Sequence, residues 1–463
     1  MIKVMKFGGT SVGSVDAMLR TADIIRSVPN SKVVVVSAMS GVTNGLIGMM
    51  RESEHKAEAS LRQLVQRHLE TARATMGEAE FAEYAPLLKQ RVDDLRDRLK
   101  AYHQAPRGHE KKVLYDTISS WGERLSSLTL AHILRSQGCD ALAMTSEEAG
   151  IVATGSPGNG TADLYSTSVN LKARVMPLLG RGRTPILTGF YGIDATGRPL
   201  TFGRGGSDYS GSVVGNGLDA DVVEIWTDVD GFMTADPRVV PDAITLEEMD
   251  YNEAAELAYF GAKVLHPRTI EPARKKGVQV WVKNTFNPDG KGTKIHRIRS
   301  PATNMLRSVA VKRDLSIVKV YSGEIAYQPG LISKILDSIT ANGVTTYAVS
   351  TSLSTLAVVV PQEQVAEVVE RLRELKDEVE KVHVKEGVSL VCAVGDSMLD
   401  SCGVSAKVFA TVAEAGANVE LISEGASDVA LNFVVSNERA VAVVKLLHER
   451  YIGERYEAVP ECE

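Results

Sequence analysis

Three stretches of this chain gather residue types that handle anions. In Lys6-Phe7-Gly8-Gly9-Thr10-Ser11-Val12 a lysine stands beside two residues without side chains, and Thr10, Ser11 and Ser14 offer hydroxyls. A phosphate could approach such a backbone, although a tight turn that needs glycine for steric reasons explains the spacing equally well. In Thr201-Phe202-Gly203-Arg204-Gly205-Gly206-Ser207-Asp208-Tyr209-Ser210 an arginine and an aspartate share a glycine hinge. Arginine grips a carboxylate with a planar fork and aspartate holds an ammonium, so the two together suit a zwitterionic amino acid; a simple ion pair closing the loop is the alternative. Thr227-Asp228-Val229-Asp230-Gly231, followed by Asp236-Pro237-Arg238, sets carboxylates at a strand end, where they could hold Mg²⁺ through water or accept hydrogen bonds from a ribose. Glu123 lies among small and apolar residues (Ser119–Ser127), which suits partial burial beside a cation; taken alone, a helix-surface carboxylate is the better reading.

The elements around these stretches follow from periodicity. Ile2–Met5 and Lys32–Ser37 are apolar runs separated by a helical stretch over about residues 15–27 that Ser14 can cap, a βαβ unit with strands buried on both faces. The second run leads into Ser37–Asn44, a small-residue loop before a helix with Thr43 or Asn44 as its cap. Two such loops at the carboxyl ends of parallel strands face one crevice. Residues 51–112 carry Leu61, Leu64, Val65 and Leu69 at helical spacing and read as amphipathic helices over one end of the sheet. Gly155–Gly160 is a mobile loop by composition. Strands are expected at Pro185–Phe190, Val222–Trp226 and Val278–Val282, with an apolar helix at Val213–Leu218. Lys263 is placed on a helix, with Glu253 and Glu256 on the turns before it, and the polar stretch 284–304 marks a domain boundary.

The remainder is a repeat. Ser316 and Ser389, Gly330 and Gly403, Gly343 and Gly416, and Ser350 and Ser423 are each 73 apart (389 − 316 = 73). Each copy reads strand, loop ending in glycine, helix, glycine turn, strand, strand, helix, which is a ferredoxin-like βαββαβ unit.

Bulk properties exclude several classes. The 463 residues should form two or three domains, and 52 basic against 58 acidic residues argue against a nucleic-acid partner. No apolar run approaches the roughly 20 residues that span a bilayer. No signal peptide is expected, and Cys139, Cys392, Cys402 and Cys462 read as reduced thiols of a cytoplasmic protein. There is no GxxxxGK[ST], no GxGxxG opening a βαβ unit, no GxSxG and no HExxH.

Six motifs in order, Lys6–Val12 (KFGGTSV), Ser37–Asn44 (SAMSGVTN), Gly122–Glu123, Gly203–Tyr209 (GRGGSDY), Trp226–Arg238 (WTDVDGFMTADPR) and Gly261–Pro267 (GAKVLHP), closely resemble those of the aspartate kinases of the amino acid kinase superfamily. The repeat resembles that family's paired ACT domains. The resemblance implies an α/β amino acid kinase fold over residues 1–300, a central mostly parallel sheet between helices. Two ferredoxin-like ACT domains would follow at 315–383 and 384–463, the second completed by the strand at 306–313. It implies transfer of the γ-phosphoryl group of ATP, with Mg²⁺ bridging phosphates, to the side-chain carboxylate of L-aspartate. The product would be 4-phospho-L-aspartate, the first step of lysine, threonine and methionine biosynthesis. A carboxylate with a pKa of about 4 is already ionised at neutral pH, so no general base is needed and catalysis is positioning plus charge neutralisation.

By the same resemblance Lys6 and Asp208 are catalytic, and Phe7, Gly8 and Gly9 lie at the nucleotide phosphates. Arg204 holds a substrate carboxylate and Glu123 and Asp208 its ammonium, while Ser37, Thr43 and Ser207 add hydrogen bonds. Thr227, Asp228, Met233, Arg238, Lys263 and Val264 form the nucleotide side; no metal ligand is assigned. Many members carry tyrosine where this chain has Met233, and methionine can still pack on a base. Sister kinases acting on glutamate, acetylglutamate or UMP would share the phosphate loops without this GRGGSDY stretch and two ACT repeats. A catalytically silent amino-acid sensor is disfavoured by Lys6, Arg204 and Asp208.

An amino-acid effector is implied at the first ACT copy, around Gln328, Gly330, Leu331, Ile332 and Tyr347. Lysine-sensing members tend to carry an acid near the start of the second ACT strand. Here that strand reads Val344–Val349 with no acid, and Glu420, at the 73 offset from Tyr347, keeps one only in the second copy. Burying an unpaired ε-ammonium costs several kcal/mol, so threonine is expected rather than lysine. Exposed ACT sheets usually pair, so a homodimer or homotetramer is expected, with no nucleic-acid or membrane partner.

Overall fold

Val33 to Val36 are all fully buried, and a strand with valine on both faces must be covered by helices on both sides. The computed structural model, which describes residues 1–29, 31–261, 264–297, 305–395, 398, 402–425 and 427–452, places this strand inside an eight-stranded sheet. Its strands are Ile2–Phe7 (β1), Ser31–Val36 (β2), Ala141–Met144 (β3), Thr184–Thr188 (β4), Val222–Thr227 (β5), Glu248–Asp250 (β6), Gln279–Asn284 (β7) and Thr293–His296 (β8). They lie in the order β6-β8-β7-β5-β1-β2-β4-β3, parallel except where β7 meets β8. β1 pairs with β2 (Phe7 opposite Val36) and with β5 (Phe7 opposite Trp226). The chain leaves β1 on one side through β2 and returns on the other through β5. The carboxyl end of β1 is therefore where the strand order reverses, the place open α/β sheets keep for a ligand.

The helix after β1 is Val15–Ser27, with Ser14 Oγ accepting from the Ala17 amide at 3.2 Å. The helix after the β2 loop, Val42–Met49, has no side-chain cap. Gly41, at φ 83°, turns the chain straight into it, so Thr43 and Asn44 lie inside the helix and neither caps it. Helices Glu54–Thr75, Glu78–Gln104, His109–Ser119 and Trp121–Ser136 bury Leu61, Leu64, Leu88 and Leu95 in one cluster with Phe7, Val34, Met39 and Leu46. The glycines of helix Gly206–Gly217 let it lie close on the sheet: a Cβ on Gly211 would come within 2.9 Å of Lys6 Cβ, and one on Gly215 within 2.3 Å of a Val223 methyl.

The chain divides into two compact units, Met1–Phe232, Glu247–Tyr251 and Val264–Ile298 in one, and Met233–Leu246, Asn252–Lys263 and Arg299–Glu463 in the other. The polar stretch at 284–304 is thus one of several crossings. Ala235 and Val240 bury themselves in the cluster of Leu306, Val309 and Val443, which draws the 233–246 segment into the second unit.

That second unit is built on a six-stranded sheet of Ser308–Tyr321 (β9), Ala348–Thr351 (β10), Thr355–Pro361 (β11), Lys381–Val394 (β12), Leu421–Ser423 (β13) and Ala430–Ser436 (β14), in the order β10-β11-β9-β12-β14-β13. The two long strands serve both repeats. Ser308–Lys312 pairs with Leu390–Val394 beside β14, and Leu315–Tyr321 lies between β11 and the first half of β12. Helices Leu331–Thr340 and Val404–Glu414 start from Gly330 at φ 83° and Gly403 at φ 81°, so the repeated glycines turn the chain the same way in both copies. The second strand of the first copy begins at Ala348, later than the expected Val344, with Tyr347 N already donating to Val359 O at 2.8 Å just ahead of it. Cys139 and Cys392 are free thiols, whereas Cys402 is disulfide-bonded, which corrects the expectation there; spacing in sequence is no measure of proximity. Among the described residues no helix is long and apolar enough to cross a membrane.

Candidate active site

Lys6 points inward from β1, and its ammonium pairs with the Asp208 carboxylate from the first turn of Gly206–Gly217. The lysine side chain is 4% exposed, so this charge is held at a fixed place. A Cβ on Gly8 would lie 3.7 Å from the ammonium, which keeps that side of the lysine open. Gly9 O accepts from Ser40 N at 3.1 Å, and a Cβ on Gly9 would stand 3.0 Å from Ala38 O, so the loops after β1 and β2 lie against one another. Ser11 is not a free donor: its hydroxyl is engaged by Thr285 Oγ1 at 2.7 Å and Trp226 O at 3.3 Å. Ser14 is taken by its helix, and Thr10 is exposed.

On the β2 side Ser37 Oγ meets Ser207 Oγ at 2.6 Å. Behind them Glu123, in the first turn of Trp121–Ser136, is buried, against the surface position its local sequence favoured. Burial pushes its carboxyl up to about 8, opposed by the amides of Ala38 and Glu123 itself and by the charges of Lys6 and Arg124. Its Oε2 has no hydrogen-bond partner among the described residues. The close approach that buries it depends on Gly122, where a Cβ would fall 2.5 Å from Ala38 Cβ and 3.0 Å from a Val42 methyl. Gly122→Ala is therefore expected to cost about 1–3 kcal/mol by forcing the helix off the loop, read as a lowered thermal midpoint. An unchanged midpoint would mean the contact gives way freely.

Arg204 is exposed between Gly203 and Gly205, both at positive φ. A Cβ on Gly205 would strike His266 Cβ at 2.4 Å. Burial, then the Arg268 and Arg204 charges, hold His266 below its usual range. Lys6, Gly8, Gly9, Ser37, Glu123, Ser207 and Asp208 thus gather at the carboxyl ends of β1 and β2.

A family model described as amino acid kinase family matches residues 1–284, and one described as ACT domain matches 391–451. Lysine-sensitive aspartokinase 3 of Escherichia coli (strain K12) is 31% identical over 459 residues, 96% of this chain and 98% of that one. The chain belongs to the aspartokinases of the amino acid kinase family. The crystal structure of Escherichia coli aspartokinase III in complex with aspartate and ADP superposes with a TM-score of 0.83 at 30% identity, covering 97% of this chain and 99% of that one. The bifunctional aspartokinase/homoserine dehydrogenase 2 of Arabidopsis thaliana is 31% identical over 98% of this chain, which spans about half (51%) of that protein's length.

The other residues assigned by motif in this chain are more dispersed. Thr43 lies half-buried in the first turn of Val42–Met49. Thr227 ends β5 and donates to Asp228 Oδ1 at 3.2 Å, leaving the Asp228 carboxylate exposed. Asp230 accepts from Asn284 and Asn287, at 2.9 and 3.1 Å, and so is committed to its own loop. Val264 is half-buried, and Lys263 lies outside the described residues. Met233 and Arg238 belong to the second unit, where Met233 O accepts from Ser308 Oγ at 2.9 Å and Arg238 pairs with Asp236. Around the expected effector position Gln328 and Gly330 are exposed, Leu331 is buried and Ile332 half-buried. Tyr347 packs on Tyr259 with ring centroids 5.5 Å apart, Tyr259 OH donates to Thr346 O at 2.6 Å, and Lys312 Nζ stands 5.5 Å from the Tyr347 ring centre.

Asp116 and Arg268 carry no motif yet grip the arginine loop. For Asp116 the signal was a lone acid beside the Thr117–Ser120 run; for Arg268 it was its place one residue after the Gly261–Pro267 motif.

Proposed function

We propose that this chain phosphorylates the side-chain carboxylate of L-aspartate with ATP. The observation that carries the reading is the Lys6–Asp208 pair seated between two glycine loops beside a buried Glu123 and an exposed Arg204. These groups match the parts of the reaction. Arg204 takes the α-carboxylate and Glu123, with Asp208, the ammonium. The β-carboxylate then meets the γ-phosphoryl group near Lys6, whose fixed charge offsets the negative charge spread over the oxygens in flight. Mg²⁺ would neutralise the phosphates, and because it keeps most of its water it needs only one or two carboxylates such as the exposed Asp228. Coupled ADP release measured with aspartate, glutamate, acetylglutamate and UMP tests the reading. Turnover is expected with aspartate alone, and turnover with another acceptor in its place would overturn it.

The reading includes feedback by an amino acid at the first ACT copy. The similar Escherichia coli enzyme is lysine-sensitive by name. In this chain Lys312 stands by Tyr347, a like charge that disfavours a second ammonium. Threonine at millimolar concentration is expected to inhibit, and lysine to do so weakly. Strong inhibition by lysine with none by threonine would refute this. Val349 and Ile422, on β10 and β13, are exposed apolar side chains, which supports self-association through this sheet.

A further inference from the structure

A hairpin of Ala153–Ser156 and Asn159–Ala162 is held against the arginine loop by two oppositely charged side chains. Asp116, fully buried in helix His109–Ser119, accepts with one oxygen from Gly158 N at the hairpin tip, 2.9 Å away, and from Thr201 N at the start of the arginine segment, 2.8 Å away. Arg268 works through two carbonyls and a hydroxyl. It donates to Gly160 O at 2.6 Å, to Thr161 Oγ1 at 2.7 Å and to Phe202 O at 3.2 Å, and its guanidinium lies 4.6 Å from the Tyr209 ring centre. Each residue therefore bonds both the hairpin and the 201–209 segment. The hairpin sits close: a Cβ on Gly203 would lie 3.1 Å from Gly158 O, and one on Gly160 2.9 Å from Thr201 O. Tyr209 OH accepts from Ala162 N at 3.3 Å and adds a third tie.

We propose that Asp116 and Arg268 are positioning residues for the acceptor amino acid, which act by clamping this hairpin onto Gly203 so that Arg204 is held at the carboxylate it binds. The claim rests on the aspartate kinase reading. A burial role alone would not require that both side chains bridge the same two segments, one through amides and the other through carbonyls. Nor would it place the tip, whose Ser156, Gly158 and Asn159 are exposed, directly over the turn that carries Arg204. Gly203 and Gly205 at φ 72° and 69° give that turn its shape, and the clamp supplies what fixes it.

The test compares Asp116→Ala, Asp116→Asn, Arg268→Met and the Asp116→Ala/Arg268→Met pair in the full chain. Two readouts are taken: KM for aspartate and for ATP by coupled ADP release, and amide exchange at Gly158 and Thr201. Asp116→Ala and Arg268→Met are each expected to raise the aspartate KM about tenfold or more while the ATP KM moves less than about twofold. Asp116→Asn keeps an oxygen that can accept both amides and should restore most of the loss. The double variant should be little worse than either single one, because a hairpin released once has nothing further to lose. Exchange at Gly158 and Thr201 should quicken in Asp116→Ala. A lowered thermal midpoint with an unchanged aspartate KM, or equal rises in both KM values, would overturn the proposal. Arg268 is half-buried, so Arg268→Met keeps the test open even if Asp116→Ala does not fold. If the parent chain releases no ADP with aspartate, the functional reading fails and the positioning claim falls with it, while amide exchange still reports the clamp itself.

Discussion

Lys6→Ala is expected to lower kcat by about a hundredfold or more, with the aspartate KM changed only several-fold. The lysine is nearly without exposure, and its stem runs over Gly211, where even a methyl would come within 2.9 Å. Its ammonium therefore has little freedom, and Asp208 fixes it further. In the proposed transfer a donor so placed costs no reorganisation when the phosphoryl group carries its greatest charge, which is why the loss belongs to kcat. The variant also leaves Asp208 without its cation. Because the aspartate side chain is 21% exposed, water relieves part of that cost, and a moderately lowered midpoint with cooperative unfolding is expected. Lys6→Arg keeps the charge but not the shape, and should recover little turnover in so tight a channel. A Lys6→Ala enzyme with kcat within a few-fold of the parent would remove this residue from the chemistry.

The first part of the site was legible because its signals are local. A strand, two glycines and a capped helix occupy consecutive residues, so Lys6 and the 8–9 loop can be read from the chain, and Ser14 caps where its spacing said it would. The repeat was legible for the same reason: Gly330 and Gly403 meet one backbone demand, and the 73-residue offset carries helices and strands with it. Glu123 was not legible. Its sequence neighbours allow either face of a helix, and what buries it is Gly122 meeting Ala38, a contact made across 84 residues (122 − 38 = 84). The Asp116 and Arg268 clamp was missed likewise, because each acts mostly on backbone groups, whose positions residue types do not report. The helix cap proposed at Thr43 or Asn44 failed because a glycine at positive φ can start a helix without a side chain, which favours no particular cap residue. That the strand at 306–313 completes the second copy was expected from the resemblance, but that β9 runs on into the first copy and β12 serves both depends on strand length and a register shift near Lys312, neither of which periodicity measures.

Glu123→Gln is expected to stabilise the free protein increasingly as pH rises while crippling its use of aspartate. Burial raises this carboxyl from an ordinary 4.5 to about 8. Between those values the folded protein holds a proton that the unfolded chain has released. The stability associated with the neutral carboxyl is full below about 4.5 and is lost as pH rises through about 8. Each pH unit within the window removes up to about 1.4 kcal/mol from the parent. Glutamine does not titrate, so the midpoint of the variant minus that of the parent should widen from pH 5 to pH 8. Function runs the other way. A substrate ammonium beside Glu123 favours the carboxylate, so binding aspartate should drive a proton off this residue, and the parent's aspartate affinity should improve as pH climbs toward 8. Glutamine keeps the shape and one acceptor oxygen but offers no charge, and loss of a buried partner for an ammonium should raise the aspartate KM on the order of a hundredfold. The rise should be largest at pH 8, where the parent ionises most readily, and the variant's KM should be nearly flat across the range. Midpoints that differ by the same amount at both pH values, or an aspartate KM with the same pH dependence in both proteins, would show that Glu123 is not the group that trades stability for substrate.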